Sequence, residues 1–377
     1  MKETGHKFEK CVRPFFKQPI GATSGGRAIS LEMVSAHFQT DIGASSGGQT
    51  IRMNTERKIA LLEGSFDPPH RGYIEKAREL LDGGYESVWL LPVKGGTEKR
   101  EKRLEMCRLL CAGESGIHAF PEGDSSGDRA KRLKKHTGAA CCDVLRLPEA
   151  DEMCTYIRQE IFSFNDPALL PAPLLRYIAL RGLYLPDYAG KVKKAVSEKR
   201  FRHTLGVRDT AVELAERMGG GVIRCAAAAL LHDCAKGMPD AELLRLAEEK
   251  HLTGETVSYP VLHGPVGAYI AKKKYGVQDE ELLNAVRRHT VGCPGMTLTD
   301  LIIFVADAIE PGREAYPMLE SIRRAAMTDL KMAAYISIRS SYDYVTGQGK
   351  PFDPASIRTM RWLEEELHMT ENEKVKG

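Results

Sequence analysis

Six residues carry metal-capable groups on otherwise apolar helical faces: His203, His232, Asp233, His263, His289 and Asp307. The stretch AALLHDCAKG, Ala228 to Gly237, shows the pattern most plainly, with an imidazole and a carboxylate side by side in an alanine-leucine run. Lys236 follows one turn later. His203 shares a stripe with Val207, Ala211 and Leu214, and His232 with Cys225 and Ala229. His263 lines up with Val266 and Ile270, His289 with Leu282 and Val286, and Asp307 with Ile303. Taken singly, such a histidine is usually a core residue bonded to a backbone carbonyl. Asp307 alone could be a cap or half of an ion pair. Five such positions in one helical region are different, because an isolated buried charge costs several kcal/mol unless a counter-charge or a metal answers it. Four imidazoles and two carboxylates form a nitrogen and oxygen donor set suited to Fe, Mn, Zn or Co.

The elements that must position these groups are helices. From Lys191 onward, segments such as VIRCAAAALLHDCAKG, HGPVGAYIAKKKYG, DEELLNAVRRHT and TDLIIFVADAIE repeat apolar residues at helical spacing. Pro265, two residues after His263, suits a first helical turn. Before this lies a different texture. KIALLEGSF reads as a strand from Lys58, IEKARELLDGG as a helix stopping at Gly83-Gly84, and SVWLLPV as a second strand from Ser87. A β-α-β unit of this kind builds a parallel sheet. Residues 1 to 52 have poor periodicity and contain a near-repeat, IGATSGGRAIS returning as IGASSGGQTIR. They are expected to be disordered, or an extension upstream of a true start at Met53.

Composition bounds the function. Lys and Arg number 54 against 51 Asp and Glu among 377 residues, which gives no argument for a nucleic-acid partner. The apolar runs are too short to span a membrane. Nine cysteines without a C-x-x-C pair suit free thiols in a reducing cytoplasm.

The order His203, His232-Asp233, His263, His289, Asp307 resembles the HD superfamily of metal-dependent phosphohydrolases. FRHTLGV, ALLHDCAKG, VLHGPVGAYIA, VRRHTVG and IIFVADAIEPGR resemble the YqeK family, whose members split diadenosine tetraphosphate symmetrically into two ADP. The resemblance runs from about Ser197 to Leu367. It departs at Ala308, where a lysine is usual, and at Asp353, where a histidine is common; neither is a metal ligand. It implies two divalent metals, as a di-iron centre, with Asp233 bridging them. A water held between them becomes a nucleophile at neutral pH. Asp233 and Lys236 are thus the expected catalytic residues, and Lys236 and Arg313 the expected phosphate-binding ones. His251 and His368 match no ligand position.

EGSFDPPHRGY resembles the opening motif of bacterial nicotinate mononucleotide adenylyltransferases, enzymes of NAD biosynthesis. Phe66, Asp67, His70 and Gly72 match, but Tyr73 stands where a second histidine is usual. Thr155 and Arg158 resemble a worn copy of the phosphate-binding segment. The expected nucleotide site is therefore Ser65, Phe66, His70, Gly72, Thr155 and Arg158 in degenerate form. The lost histidine and a short middle region imply a retained fold without transferase activity, which would bind nucleotide or hold the hydrolase in an oligomer such as a homodimer.

The expected protein is cytoplasmic and has two domains. An α/β Rossmann-like nucleotidyltransferase domain over 53–188 precedes an all-α HD domain over 189–370, with its own core beyond a seam near Leu185 to Ala195. Its expected substrate is an adenine dinucleotide, with neither nucleic acid nor membrane as partner. The rival readings are an HD hydrolase of another nucleotide phosphoester and a bifunctional protein whose adenylyltransferase half is active.

Overall fold

A computed structural model describes residues 57–93, 95–121, 128–146, 150–253 and 259–369. Glu56–Gly377 cluster as one compact unit. The expectations for residues 1 to 52 lie outside the described residues.

The chain opens on a four-stranded parallel sheet. Its elements are β1 (Lys58–Gly64), α1 (Arg71–Asp82), β2 (Ser87–Pro92), α2 (Arg100–Cys111), β3 (Ile117–Ala119), α3 (Arg129–Thr137) and β4 (Cys141–Arg146). The strand order is β3-β2-β1-β4. The chain therefore reverses its direction of growth between β3 and β4, which opens a crevice beyond the carboxyl ends of β1 and β4. Alternation in β1 serves both faces: Ala60 and Leu62 pack with Tyr73, Ile74 and Ala77, while Ile59 and Leu61 pack with Leu104 and Leu133. Both expected strands and the expected helix are present, and the arrangement is consistent with a Rossmann-like domain.

Helices follow: α4 (Ala150–Phe162), α5 (Ala172–Arg181), α6 (Tyr188–Ala195), α7 (Glu198–Met218), α8 (Val222–Leu231), α9 (Asp240–Glu249), α10 (His263–Lys273), α11 (Glu280–Arg288), α12 (Leu298–Ile309), α13 (Leu319–Ala326), α14 (Leu330–Gly347) and α15 (Pro354–Glu366). Among the described residues none of these is long and apolar enough to cross a membrane. Local signals set their ends. Ser197 caps α7 by accepting from Arg200 N, and Gly219 ends it in the left-handed region at φ 72°. Helix α8 is buried on every side except at Arg224, and its alanines let α7, α11 and α12 approach closely.

Packing does not pause at the seam. One apolar cluster joins Ile157, Ile161, Leu174 and Ile178 of α4 and α5 to Val212, Ala215, Ala226 and Leu230 of α7 and α8. A polar tie adds to it. Gly221, the N-cap of α8, has no side chain to offer, and Asp166 accepts instead from Val222 N (2.7 Å) and Ile223 N (2.9 Å).

Candidate metal centre

The six groups converge because helix ends and helix faces meet at one point. His232 and His289 are the residues just past α8 and α11, and His263 opens α10. His203 and Asp307 stand within α7 and α12. Three overlapping sets bring their ligand atoms within 4.8 Å of one another: His203, His232 and Asp233; His232, His289 and Asp307; Asp233, His263 and His289.

Asp233 lies at the middle and divides its two oxygens. Oδ1 is 3.2 Å from His263 Nε2 and 3.8 Å from His289 Nε2. Oδ2 is 3.4 Å from His232 Nε2 and 3.8 Å from His203 Nε2. Asp307 Oδ1 stands 3.0 Å from His203 Nε2 and 3.9 Å from His232 Nε2. The floor is closed, with the His232 side chain wholly buried, whereas the Asp307 side chain is 23% exposed at the mouth.

Each imidazole aims Nε2 inward because Nδ1 is occupied. Nδ1 donates to Ala229 O in His232, to Pro260 O in His263 and to Val286 O in His289, at 2.7, 2.8 and 2.7 Å. A carbonyl can only accept, so these tautomers leave Nε2 a lone pair. His203 and His232 each keep an Nε2 that is buried without a hydrogen-bond partner. Orphaned ring nitrogens turned toward carboxylates are the donor set a divalent cation requires, so the residues fit a metal.

Electrostatics agree. Burial disfavours the Asp233 charge, but His232, His263 and His289 outweigh it and hold the carboxyl well below its usual range. Burial likewise opposes ionisation of Asp307, and His203 and Arg313 overcome it. Burial would lower His232, yet the adjoining Asp233 carries it upward. Burial, together with His289 and Lys236, brings His263 down.

Cations ring the mouth. Arg200 Nη1 lies 3.0 Å from Asp233 Oδ2, and Arg313 Nη2 lies 2.5 Å from Asp307 Oδ1. Lys236 Nζ is 3.1 Å from His263 Nδ1, and burial followed by the repulsion of Arg200 and Arg313 lowers its pKa despite nearby carboxylates. Lys236 and Arg313 thus stand beside the centre, while His251 and His368 are exposed elsewhere. Two neighbours escaped the sequence reading: Arg200 and Glu310. Arg200 precedes His203 by three residues on the same face, a spacing that could have revealed it.

In the front half, Ser65, Thr155 and Arg158 come together with Asp67, Gly96 and Thr97 around a cavity of about 290 Å³. Phe66 and His70 do not line it. Both are buried, and their rings lie 4.3 and 4.5 Å from that of Tyr73. Gly72 lies beneath the His70 ring, where a Cβ would approach to 3.0 Å. Arg158 donates to Asp67 O and to Thr155 Oγ1.

Comparison with known proteins finds relatives of this chain. The HD domain family matches residues 200–312. The symmetrical bis(5'-nucleosyl)-tetraphosphatase of Bacillus subtilis is 41% identical over 174 residues, covering 46% of this chain and 93% of that protein. A Mycoplasma genitalium protein named probable nicotinate-nucleotide adenylyltransferase/Ap4A hydrolase is 32% identical over 182 residues, 46% of this chain and 51% of that one. The crystal structure of a "predicted HD superfamily hydrolase involved in NAD metabolism" from Clostridium acetobutylicum is 32% identical, with 48% of this chain and 96% of that chain covered and a TM-score of 0.43.

Proposed function

This chain belongs to the HD-domain family of symmetrical bis(5'-nucleosyl)-tetraphosphatases, and from that premise we propose that it splits diadenosine tetraphosphate into two ADP. The observation that carries this reading is the division of the Asp233 oxygens between the His263–His289 pair and the His203–His232 pair, so that one carboxylate could serve two cations. His203, His232, His263, His289 and Asp307 would complete the two shells. When bound, the divalent metals supply a water of lowered pKa and positive charge for the phosphate oxygens. Iron is the metal that the family resemblance implies, and Mn, Co or Zn would satisfy the same donors.

The chain's own groups do the rest. The backbone-anchored imidazoles hold the donors in place before substrate arrives, so little reorganisation is needed during reaction. Lys236, Arg313 and Arg200 line the mouth, where a polyphosphate would lie, and each offers donors to non-bridging oxygens. Product analysis tests the cleavage position. Symmetric hydrolysis yields ADP alone, whereas ATP with AMP would contradict it.

The front half is proposed to be a nucleotidyltransferase-like domain over 53–188 without transferase activity, and the helical half an HD domain over 189–370. Two observations support an inactive front half. Tyr73 fills the usual histidine place within a buried ring cluster, and Arg158 is already engaged by the Asp67 carbonyl and the Thr155 hydroxyl.

A further inference from the structure

Three of the four central imidazoles are oriented by backbone, and the fourth is not. His232 and His289 sit just past helix ends, where last-turn carbonyls lack intrahelical partners, and their Nδ1 atoms take Ala229 O and Val286 O. His263 follows a 3-10 turn whose Pro260 carbonyl serves the same purpose. His203 lies inside α7, where the preceding carbonyls are already used by the helix. Its Nδ1 therefore needs an acceptor from elsewhere.

Glu310, the residue after α12, provides one. Its Oε1 is 3.1 Å from His203 Nδ1, and the residue is 3% exposed. Oε2 accepts from Gly312 N at 2.6 Å. The Glu310 backbone is fixed as well: its N–H donates to Ala306 O, and its carbonyl accepts from Arg313 N at 3.0 Å and Arg323 Nη2 at 3.3 Å. The space the carboxylate occupies exists because residue 206, one turn past His203, is glycine. A Cβ on Gly206 would stand 2.5 Å from Oε2.

We propose that Glu310 is the positioning residue for His203. By accepting the Nδ1 proton it fixes the tautomer and ring orientation that leave Nε2 a donor toward the metal. Gly206 is the notch that admits it. This inference rests on the metal reading of the site.

The test is Mn²⁺ binding to chelator-treated full-length protein, read from the electron paramagnetic resonance signal of free Mn²⁺. Glu310→Ala should weaken the equivalent held by His203 about 10- to 100-fold while the other equivalent is retained. Glu310→Gln keeps an oxygen acceptor and should weaken it less. Gly206→Ala, with Glu310 intact, should weaken it because the carboxylate is displaced, and it carries the test with Glu310→Gln if Glu310→Ala does not fold. A purely structural role would instead lower the melting temperature of the metal-free protein and leave Mn²⁺ affinity unchanged. Wild-type affinity in the Glu310 and Gly206 variants, with binding lost in Asp233→Ala, would overturn the proposal and leave the metal reading standing. Full binding by Asp233→Ala would overturn the metal reading and this inference with it.

Discussion

His263 and His289 hold their Nε2 atoms 3.1 Å apart while each Nδ1 faces a backbone carbonyl. A divalent cation held by both Nε2 atoms, as the proposed centre requires, would stabilise the folded state over the unfolded one. Adding Mn²⁺ to chelator-treated protein should therefore raise the melting temperature. At 100 times the dissociation constant the gain is about 2.7 kcal/mol. Scanning calorimetry with and without metal measures it, and coincident transitions would count against the metal reading.

Asp166 braces α8 at the end opposite His232 and Asp233. Asp166→Ala should cost about 1–2 kcal/mol, as loss of a helix cap does. Burial raises the Asp166 pKa above 3.8, and the Val222 and Ile223 amides only partly oppose it. The folded state therefore binds this proton more tightly than the unfolded state. The resulting stability is fully present below about pH 3.8 and is lost as pH rises through the raised folded value. Against Asp166→Asn, which does not titrate, wild type should gain relative stability as pH falls from 7 toward 4. Denaturant unfolding at both pH values checks the sign.

The continuous packing across residues 157–178 and 212–231 bears on truncation. A chain beginning at Met53 keeps every residue of the described core and should melt as the full chain does. A chain beginning at Pro186 keeps all six candidate ligands and should still bind metal and release ADP. It should nonetheless melt several degrees lower, because it loses the Ile161, Leu174 and Ile178 cover and the Asp166 tie. Equal melting temperatures for the two truncated chains would show that the seam carries no stability.

Incubated with ATP and nicotinate mononucleotide, the full chain should make no dinucleotide. Tyr73→His should not restore synthesis, since Tyr73 is buried and His70 packs against it at a tilt rather than lining the cavity. Dinucleotide detected by mass spectrometry in the wild type would show that the front half is active.

The residues themselves explain what could be read in advance. The stripes through His203, His232 and His289 were legible because Val207, Ala211, Ala229, Leu282 and Val286 are buried along regular helices. Strand β1 was legible as an apolar run for the same reason. Strand β3 has three residues, too few for a periodic signal, and β4 mixes Asp143 and Arg146 into an exposed edge. Glu310 and Asp166 act across elements, through contacts 107 and 56 residues apart in the chain, and no local pattern marks such partners, whereas Arg200, which reaches Asp233 33 residues on, was marked only by its spacing to His203. The seam looked like a boundary because helical periodicity restarts there, yet side chains from both sides share one core.

One measurement bears most directly on the proposed centre: ADP released from diadenosine tetraphosphate, with metal content determined on the same sample, for wild type and Asp233→Ala. His251→Ala and His368→Ala serve as controls, since both residues are exposed and belong to none of the candidate ligand groups. Wild type and controls should retain metal and release two ADP per substrate, and Asp233→Ala should lose metal and activity together. An Asp233→Ala protein with wild-type metal content and undiminished ADP release would contradict the assignment of this centre.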